Sequence, residues 1–330
     1  MEAFQTLFLG QPLWMWLGFF VVIVALLAFD LGVLHKGSKE IGVRESLLLS
    51  GFYILIGLGF AGFVWLQLGQ TAAIEYVTGF VVEKSLAMDN VFVIATIFTF
   101  LAIPRAYQHR VLFWGILGVI LLRAIMIGVG AALVTQYAWV LYIFAAFLVV
   151  TGVKMLVWHE ETPLSENPLY RWARRHLKLT DTLHGERFFV KQIDGKTGKI
   201  TMLMTPLFLA LIMIEVADVI FAVDSVPAIF AITTDPYIVY TSNIFAILGL
   251  RALYFALAAV MHRFAYLKQA LAVLLIFIGS KIFIADALGL GKFPAEWSLA
   301  VTFAILAAGV LYSLWRTRAE PKLMLEQRET

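Results

Sequence analysis

Long apolar stretches separated by short polar segments run through almost the whole chain. Each stretch is long enough to cross the roughly 30 Å hydrocarbon core of a bilayer as a helix. The pattern therefore predicts an all-α polytopic membrane protein with about nine transmembrane helices. The predicted spans cover residues 12–34, 45–68, 72–101, 109–135, 138–158, 203–232, 237–261, 266–289 and 295–315.

The connections between these spans alternate between rich and poor in Lys and Arg. One set of alternate connections contains Lys292 as its only basic residue, and the other contains all the remaining basic loop residues. Because basic residues collect on the cytoplasmic side of a membrane, this pattern predicts an N-terminus outside and a C-terminus inside.

The amino-acid composition agrees with a membrane protein and excludes several classes of function. Hydrophobic residues make up 62% and charged residues 14% of the chain, with a mean hydropathy of +0.89, which disfavours a water-soluble fold. The net charge of +3 belongs to loops between spans, so no nucleic-acid partner is expected. The chain has no cysteine, which excludes disulfides and thiolate metal ligands.

A basic loop over residues 159–202 is the only sizeable polar segment, and it is too short for a hydrophobic core of its own. Residues 167–179 predict a short cationic helix with Trp172 near its apolar face, which either lies on an anionic leaflet or is a solvated positive-inside segment. The two β-prone runs around Asp194-Gly195 predict a hairpin.

An internal repeat relates two parts of the chain. In residues 83–91 and 218–226, an acid, an alanine, a second acid, a polar residue and a valine recur in register. Further matches follow in the same order, between 116–124 and 247–252 and between 152–154 and 279–281. Units of three helices placed back to back must run in opposite directions, so the pattern predicts an inverted-topology repeat with its site near the midplane.

The repeat divides the chain into five predicted parts. These are two N-terminal spans (1–70), a first three-helix repeat (71–158), the basic loop (159–202), a second repeat (203–290), and a final span with a cytoplasmic tail (291–330).

Acidic residues inside the predicted spans are the candidate site. An acid at mid-membrane costs about 2.5–3.5 kcal/mol on insertion scales and therefore usually faces a cavity, a partner or an ion. Carboxylate, amide and hydroxyl oxygens suit Mg²⁺, Ca²⁺ or Mn²⁺. The polar residue after each matched aspartate is either a ligand or a helix cap. The predicted metal ligands are Glu83, Asp89, Asn90, Glu215, Asp218, Asp224 and Ser225.

Helix geometry limits this site, because residues six apart lie about 120° apart around a regular helix. Glu83 and Asp89 would therefore need a break in the helix to converge. Pro227 predicts such a break in the sixth span, whereas the third span has no proline. A purely structural alternative is that the acids pair with the supporting charges Lys84, Arg123 and Arg251.

The segments 83–93, 215–236 and 242–255 resemble the signature segments of the TerC family, most closely its Alx-like branch. The resemblance implies a topology similar to LysE-type transporters, a place in the inner (cytoplasmic) membrane and a role in Mn²⁺ export, and it points to the same seven ligands. The family's association with tellurium resistance does not follow from this site, since carboxylates repel an oxyanion.

The sequence predicts a secondary exporter of Mn²⁺, with Ca²⁺ as the other substrate, and no permanently bound cofactor. Proton exchange is a natural driving force, because burial disfavours the charged form of a carboxylate. An enzyme is not expected, since the GxGD and HExxH motifs of intramembrane proteases are absent. The alternative is an assembly or metal-delivery partner for exported proteins, for which the basic loop leaves room.

The predicted site can be tested by the manganese content of cells that lack their own manganese exporters. The intact protein should lower cellular manganese, whereas the Asp89→Asn and Asp224→Asn variants should not, because each loses a proposed ligand. Manganese content and expression level are measured together. If both variants still lower manganese at normal expression, the predicted ligand set is wrong.

Overall fold

The computed structural model of the protein describes residues 6–34, 42–157, 166–193, 200–257 and 267–326. Helices account for most of these residues, and the strands form two small antiparallel hairpins. The elements are β1 (Leu7–Phe8), β2 (Gln11–Pro12), α1 (Leu13–Leu34), α2 (Val43–Leu68), α3 (Gln70–Phe100), α4 (Arg105–Gln136), α5 (Val140–Val157), α6 (Pro168–His176), β3 (Phe189–Ile193), β4 (Ile200–Met204), α7 (Pro206–Phe230), α8 (Pro236–Ile247), α9 (Leu250–Leu257), α10 (Leu267–Ala287) and α11 (Ala295–Glu326).

Within these ranges, seven helices are long and apolar enough to cross a membrane, and α8 with α9 makes an eighth if the bent pair is one span. Helix α3 is 31 residues long but carries four charged residues, Glu75, Glu83, Lys84 and Asp89. The protein is therefore an all-α polytopic membrane protein. The count of nine spans stays a prediction, since it depends on α3 crossing despite these charges.

The break expected in the sixth span is absent, and the seventh span is broken instead. Helix α7 continues through Pro227 to Phe230. A proline removes one hydrogen bond, to the carbonyl four residues earlier, and membrane helices tolerate this loss without ending. Helix α3 is also unbroken. The prediction that a broken sixth span brings its two aspartates together was therefore wrong.

The break between α8 and α9 bends the chain by about 40°. Gly249 lies in the break with a φ of +79°, and a Cβ at this position would overlap the side chain of Tyr53. The ammonium of Lys84 donates to the carbonyls of Ala246 at 2.9 Å and Leu248 at 3.4 Å. Lys84 thus satisfies carbonyl groups that the end of α8 leaves without helical partners.

Helices α5 and α10 pack closely at two glycines that the sequence matches to each other. A Cβ on Gly152 would lie 2.6 Å from the Ala272 carbonyl oxygen, and one on Gly279 would lie 2.5 Å from the Ala145 carbonyl oxygen. Each glycine therefore faces the backbone of the other helix. The contact of Gly152 with α10 is equivalent to the contact of Gly279 with α5.

The basic loop folds against the helices on the side where α4 and α7 begin. Strands β3 and β4 pair in antiparallel register, which confirms the predicted hairpin, although its turn lies outside the described residues. The predicted cationic helix is α6, capped by the side chain of Asn167. Its Ala173 is buried against the body of the protein, whereas Trp172 is exposed.

The α5–α10 contact predicts that Gly279→Ala destabilises the protein by about 1–3 kcal/mol, because the new methyl group meets a backbone carbonyl that cannot move aside. Thermal unfolding of the detergent-purified protein, followed by size-exclusion chromatography, measures the change. Gly59→Ala is the matched control, since nothing lies within 4 Å of a Cβ there. An unchanged melting temperature for Gly279→Ala would contradict the packing described.

Candidate functional site

The guanidinium of Arg123 lies at the centre of a buried polar cluster between α3, α4, α7 and α8. Its Nε and Nη2 donate to the two carboxylate oxygens of Asp218 at 3.3 and 3.2 Å, and its Nη1 forms a short ion pair with Glu83. Nη1 also donates to Ser225 at 2.8 Å and to Asn243 at 3.3 Å. Every nitrogen of the guanidinium therefore has an acceptor.

We call this group the Arg123 cluster, and it also includes Asn90, whose amide donates to Asp218 at 3.4 Å. The exposed fraction is 0% for Glu83, 1% for Arg123 and 6% for Asp218. With both carboxylates ionised, the cluster carries one more negative than positive charge. Such a charge excess away from water is costly unless a further cation or proton compensates it.

Helical spacing explains why these members converge. Glu83 and Asn90 are seven residues apart in α3, and Asp218 and Ser225 are seven apart in α7. Seven residues are almost two full turns, so both members of each pair face the same side of an unbroken helix. The first acid and the polar residue of each repeated motif therefore meet at Arg123.

The second acid of each motif points elsewhere, as the six-residue spacing requires. Asp89 is half-buried, has no hydrogen bond among the described residues, and lies within electrostatic range of Lys268. Asp224 is half-buried and accepts a hydrogen bond from Thr151 of α5 at 3.3 Å. The structure does not bring these two aspartates to the Arg123 cluster, so the loss of export forecast from the sequence for their amide variants no longer follows from a shared set of ligands.

Glu215 lies one turn before Asp218 on α7, against α4. A Cβ at Gly118 would overlap its carboxylate, so the glycine leaves room for this side chain in the position it occupies. Its Oε2 is buried and has no hydrogen-bond partner in the described part of the protein. A buried acceptor without a donor is uncommon in proteins and marks Glu215 as a candidate functional group.

Two further polar atoms in the Arg123 cluster also lack partners among the described residues: Oε2 of Glu83 and Nδ2 of Asn243. Both side chains are fully buried. The cluster is therefore not saturated, since one carboxylate oxygen remains available beside the guanidinium.

The other two supporting charges do not touch these acids. Lys84 binds the carbonyls at the α8–α9 break, as described above. Arg251 pairs with Asp30 of α1 at 2.7 Å, although the sequence repeat matches Arg251 to Arg123. The two arginines that the motifs match therefore have different partners.

A cavity reaches the Arg123 cluster from one side. Asn90, Asp218 and Arg251 line it together with apolar residues that include Gly115 and Ile214. The lining residues of α4 precede Arg123 in the chain, so the cavity extends toward the end where α4 begins. On the other side, the cluster is covered by a packed core that includes Phe80 and Phe230.

The predicted seven-ligand site is thus only partly assembled in this conformation. Four of its members, Glu83, Asn90, Asp218 and Ser225, meet at one point, but a guanidinium occupies the space between them. No three acidic or histidine side chains among the described residues are arranged to hold a metal ion.

Asn243 was missed as a candidate from the sequence, although its place in an apolar helix is a signal. It is a buried amide in α8, next to the equally buried Ser242, where apolar residues are expected. Thr151, which binds Asp224, gave no comparable signal because a lone threonine is common in membrane helices.

Comparisons with known proteins show one family and several close relatives. Residues 68–321 match the family model described as the integral membrane protein TerC family. An Escherichia coli (strain K12) protein named "Putative membrane-bound redox modulator Alx" is 47% identical over 316 residues, covering 93% of this chain and 95% of the relative. A Myxococcus xanthus membrane protein is 43% identical over 97% of both chains, and a Rickettsia bellii membrane protein is 47% identical over 91% of this chain and 97% of the relative. No solved structure matches.

The Arg123 cluster predicts that Arg123→Gln strongly destabilises the protein in metal-free buffer. Removing the guanidinium leaves two buried carboxylates without a counter-charge, which costs about 3–5 kcal/mol. Thermal unfolding of the purified protein in the presence of a chelator measures the change. Arg174→Gln is the control, because its ion pair with Asp181 is exposed and should contribute little. Equal melting temperatures for the two variants would contradict the assignment.

Proposed function

Because this chain belongs to the TerC family of integral membrane proteins, we propose that it is a secondary exporter of a divalent metal cation across the cytoplasmic membrane. Mn²⁺ is the substrate we favour, and Ca²⁺ is the other candidate. One observation carries the proposal: the matched first acids of two repeated motifs, Glu83 and Asp218, meet inside the helical bundle. Buried carboxylates in a membrane domain are a mark of an ion or proton pathway.

The donor set around these acids fits a hard cation. Asn90, Ser225 and Asn243 add amide and hydroxyl oxygens to the two carboxylates, and such oxygens suit Mn²⁺ and Ca²⁺ rather than soft metals. The described residues of the cluster include no histidine, and the chain has no cysteine. These properties support a substrate from the hard divalent class and leave the choice between Mn²⁺ and Ca²⁺ to experiment.

The helix contacts support an inverted repeat of three helices on each side. In this arrangement α3, α4 and α5 correspond to α7, α8–α9 and α10. Gly152 and Gly279 face each other's helices in matching ways, and α3 contacts α8 as α4 contacts α7. Transporters built from inverted repeats place their substrate site where the repeats meet, and the Arg123 cluster lies between α3 and α7.

The cavity supports loading from the cytoplasm, if the basic loops are cytoplasmic as predicted. It extends from Asp218 toward the end of the bundle that carries the basic loop, whereas aromatic residues close the opposite side. A cation entering from the cytoplasm would therefore reach Asp218 first. Release to the outside requires a second conformation, in which the packed side opens.

The name of the Escherichia coli relative includes a redox role, and the composition of this chain limits what such a role could be. Thiol–disulfide chemistry by its own side chains is excluded, because the chain has no cysteine. Any effect on cellular redox state would follow indirectly from the distribution of a redox-active metal such as manganese. We propose no enzymatic activity for the chain.

A second function is an assembly or metal-delivery partner for exported proteins. The exposed basic surface of α6, with Arg171, Arg174 and Arg175, favours it by offering a contact site away from the bilayer core. Co-purification of secretion components by a protein that moves no cation in vesicles would support this function over export.

The proposal predicts Mn²⁺ flux into vesicles reconstituted with the purified full-length protein. Glu83→Gln and Asp218→Asn should each lower the flux by about 10–100-fold or more. Mutating a residue that only hydrogen-bonds a metal ligand already lowers metal affinity or activity by this factor, and these two residues are proposed as ligands themselves. The flux is measured with a manganese-sensitive dye inside the vesicles, at equal amounts of inserted protein.

Asp181→Asn serves as the control, because Asp181 is an exposed acid of the basic loop. It should retain the flux of the unmodified protein. A second arm imposes a pH gradient, to which proton-coupled flux must respond. Normal flux in both cluster variants would contradict the site, and the absence of flux in the unmodified protein would contradict the function.

A further inference from the structure

We propose that Arg123 is a built-in competitor of the transported cation: its guanidinium occupies the site when no substrate is bound, and the cation enters by displacing it toward Glu215. This inference rests on the proposed function and describes how the same site is regulated. It differs from a permanent structural ion pair, in which Arg123 would hold the helices together and stay in place during transport.

The position of the guanidinium is the first argument. It lies between Glu83 and Asp218 and uses all of its nitrogens on oxygens that would otherwise be ligands. A divalent cation cannot bind the same oxygens while the guanidinium remains, because two like charges in contact inside a protein repel each other strongly.

Charge balance is the second argument. The two carboxylates of the cluster exceed the single charge of Arg123 by one, whereas a divalent cation would neutralise both. Oε2 of Glu83 is a buried acceptor without a partner among the described residues while Arg123 is in place. Arg123 is therefore an incomplete substitute for the ion that this cluster is built to hold.

Glu215 supplies the third argument, because a displaced guanidinium needs another acceptor. Glu215 lies one turn from Asp218 on α7 and packs against Gly118 of α4, the helix that carries Arg123. Its buried Oε2 has no partner in the described part of the protein. Moving Arg123 from Asp218 to Glu215 would keep the arginine paired and free the site for the substrate.

The competition makes release of the substrate possible. If a divalent cation bound two buried carboxylates without a competitor, it would leave slowly. The guanidinium, held nearby on α4, can return to Asp218 and Glu83 and replace the cation. Removing the competitor should therefore strengthen binding and weaken transport, whereas removing a structural ion pair should weaken both.

The test compares Mn²⁺ binding and Mn²⁺ flux in Arg123→Gln and in the unmodified protein, as full-length chains in lipid nanodiscs and vesicles. Free Mn²⁺ is measured by electron paramagnetic resonance. Arg123→Gln should bind Mn²⁺ about tenfold more tightly or better, because a competing positive charge has been removed from the site. Its flux should be lost. Unchanged or weaker binding would overturn the proposal.

Lys281→Gln is the matched control, since Lys281 is a buried cation that binds Ser298 instead of the cluster acids. It should not tighten Mn²⁺ binding. If Arg123→Gln elutes as aggregate, Arg123→Lys decides the question. The ammonium cannot make the two-point contact with Asp218, so tighter Mn²⁺ binding is again expected, and unchanged or weaker binding overturns the proposal.

The role of Glu215 is tested by combining two variants. Glu215→Gln should weaken Mn²⁺ binding in the unmodified protein, because the displaced arginine loses its acceptor. In the Arg123→Gln background the same change should have no effect on binding. A persistent loss would mean that Glu215 binds the metal itself and would overturn its assignment as the acceptor of Arg123.

These outcomes separate failure of the inference from failure of the proposed function. If the unmodified protein carries no Mn²⁺ flux, the function is wrong. If the flux is present and depends on Glu83 and Asp218, but Arg123→Gln does not bind more tightly, only the competition is wrong.

Discussion

The ion pairs of Arg123 with Glu83 and Asp218 are the interaction on which the centre of the protein depends. Two acids placed at mid-length in membrane helices are expensive to bury, and neither the surrounding apolar side chains nor lipid can compensate them. The guanidinium provides the counter-charge and also ties α4 to α3 and α7. With both acids ionised it leaves one negative charge in excess, and this excess is the property on which the proposed cation site rests.

The two segments that the sequence motifs match differ in how they use their arginines. The matched glycines of α5 and α10 face each other in equivalent ways, and the matched acids meet at one point. Arg123, however, binds the acids, whereas Arg251 is bound by Asp30 of α1. Helix α4 runs unbroken past Gly118, while the matching Gly249 breaks α8 from α9. Arg123 is therefore the arginine that binds the acids, whereas Arg251 lines the cavity beside them.

The apolar pattern and the polar residues inside the spans were sufficient to predict the helical membrane fold, the hairpin of the basic loop and five members of the Arg123 cluster, with Arg123 itself as a supporting charge that pairs with the acids. Glu83 and Asn90, like Asp218 and Ser225, are seven residues apart, and this spacing turns all four side chains toward Arg123. The prediction instead used the six-residue spacing between the two acids of each motif and therefore required broken helices. Pro227 was overvalued because a proline removes a single backbone hydrogen bond, and a membrane helix tolerates this loss without ending. Asn243 stands out as an amide in an apolar helix, but its partner Arg123 follows only from the contact of α8 with α4.

The most direct test of the account is the position of manganese in a structure of the full-length protein determined with Mn²⁺, using anomalous scattering at the manganese absorption edge. The account predicts one peak within coordination distance of the Glu83 and Asp218 carboxylates, with the guanidinium of Arg123 moved away from them. A peak at Asp89 or Asp224, or Arg123 still bound to both acids in protein that is saturated with Mn²⁺, would contradict it.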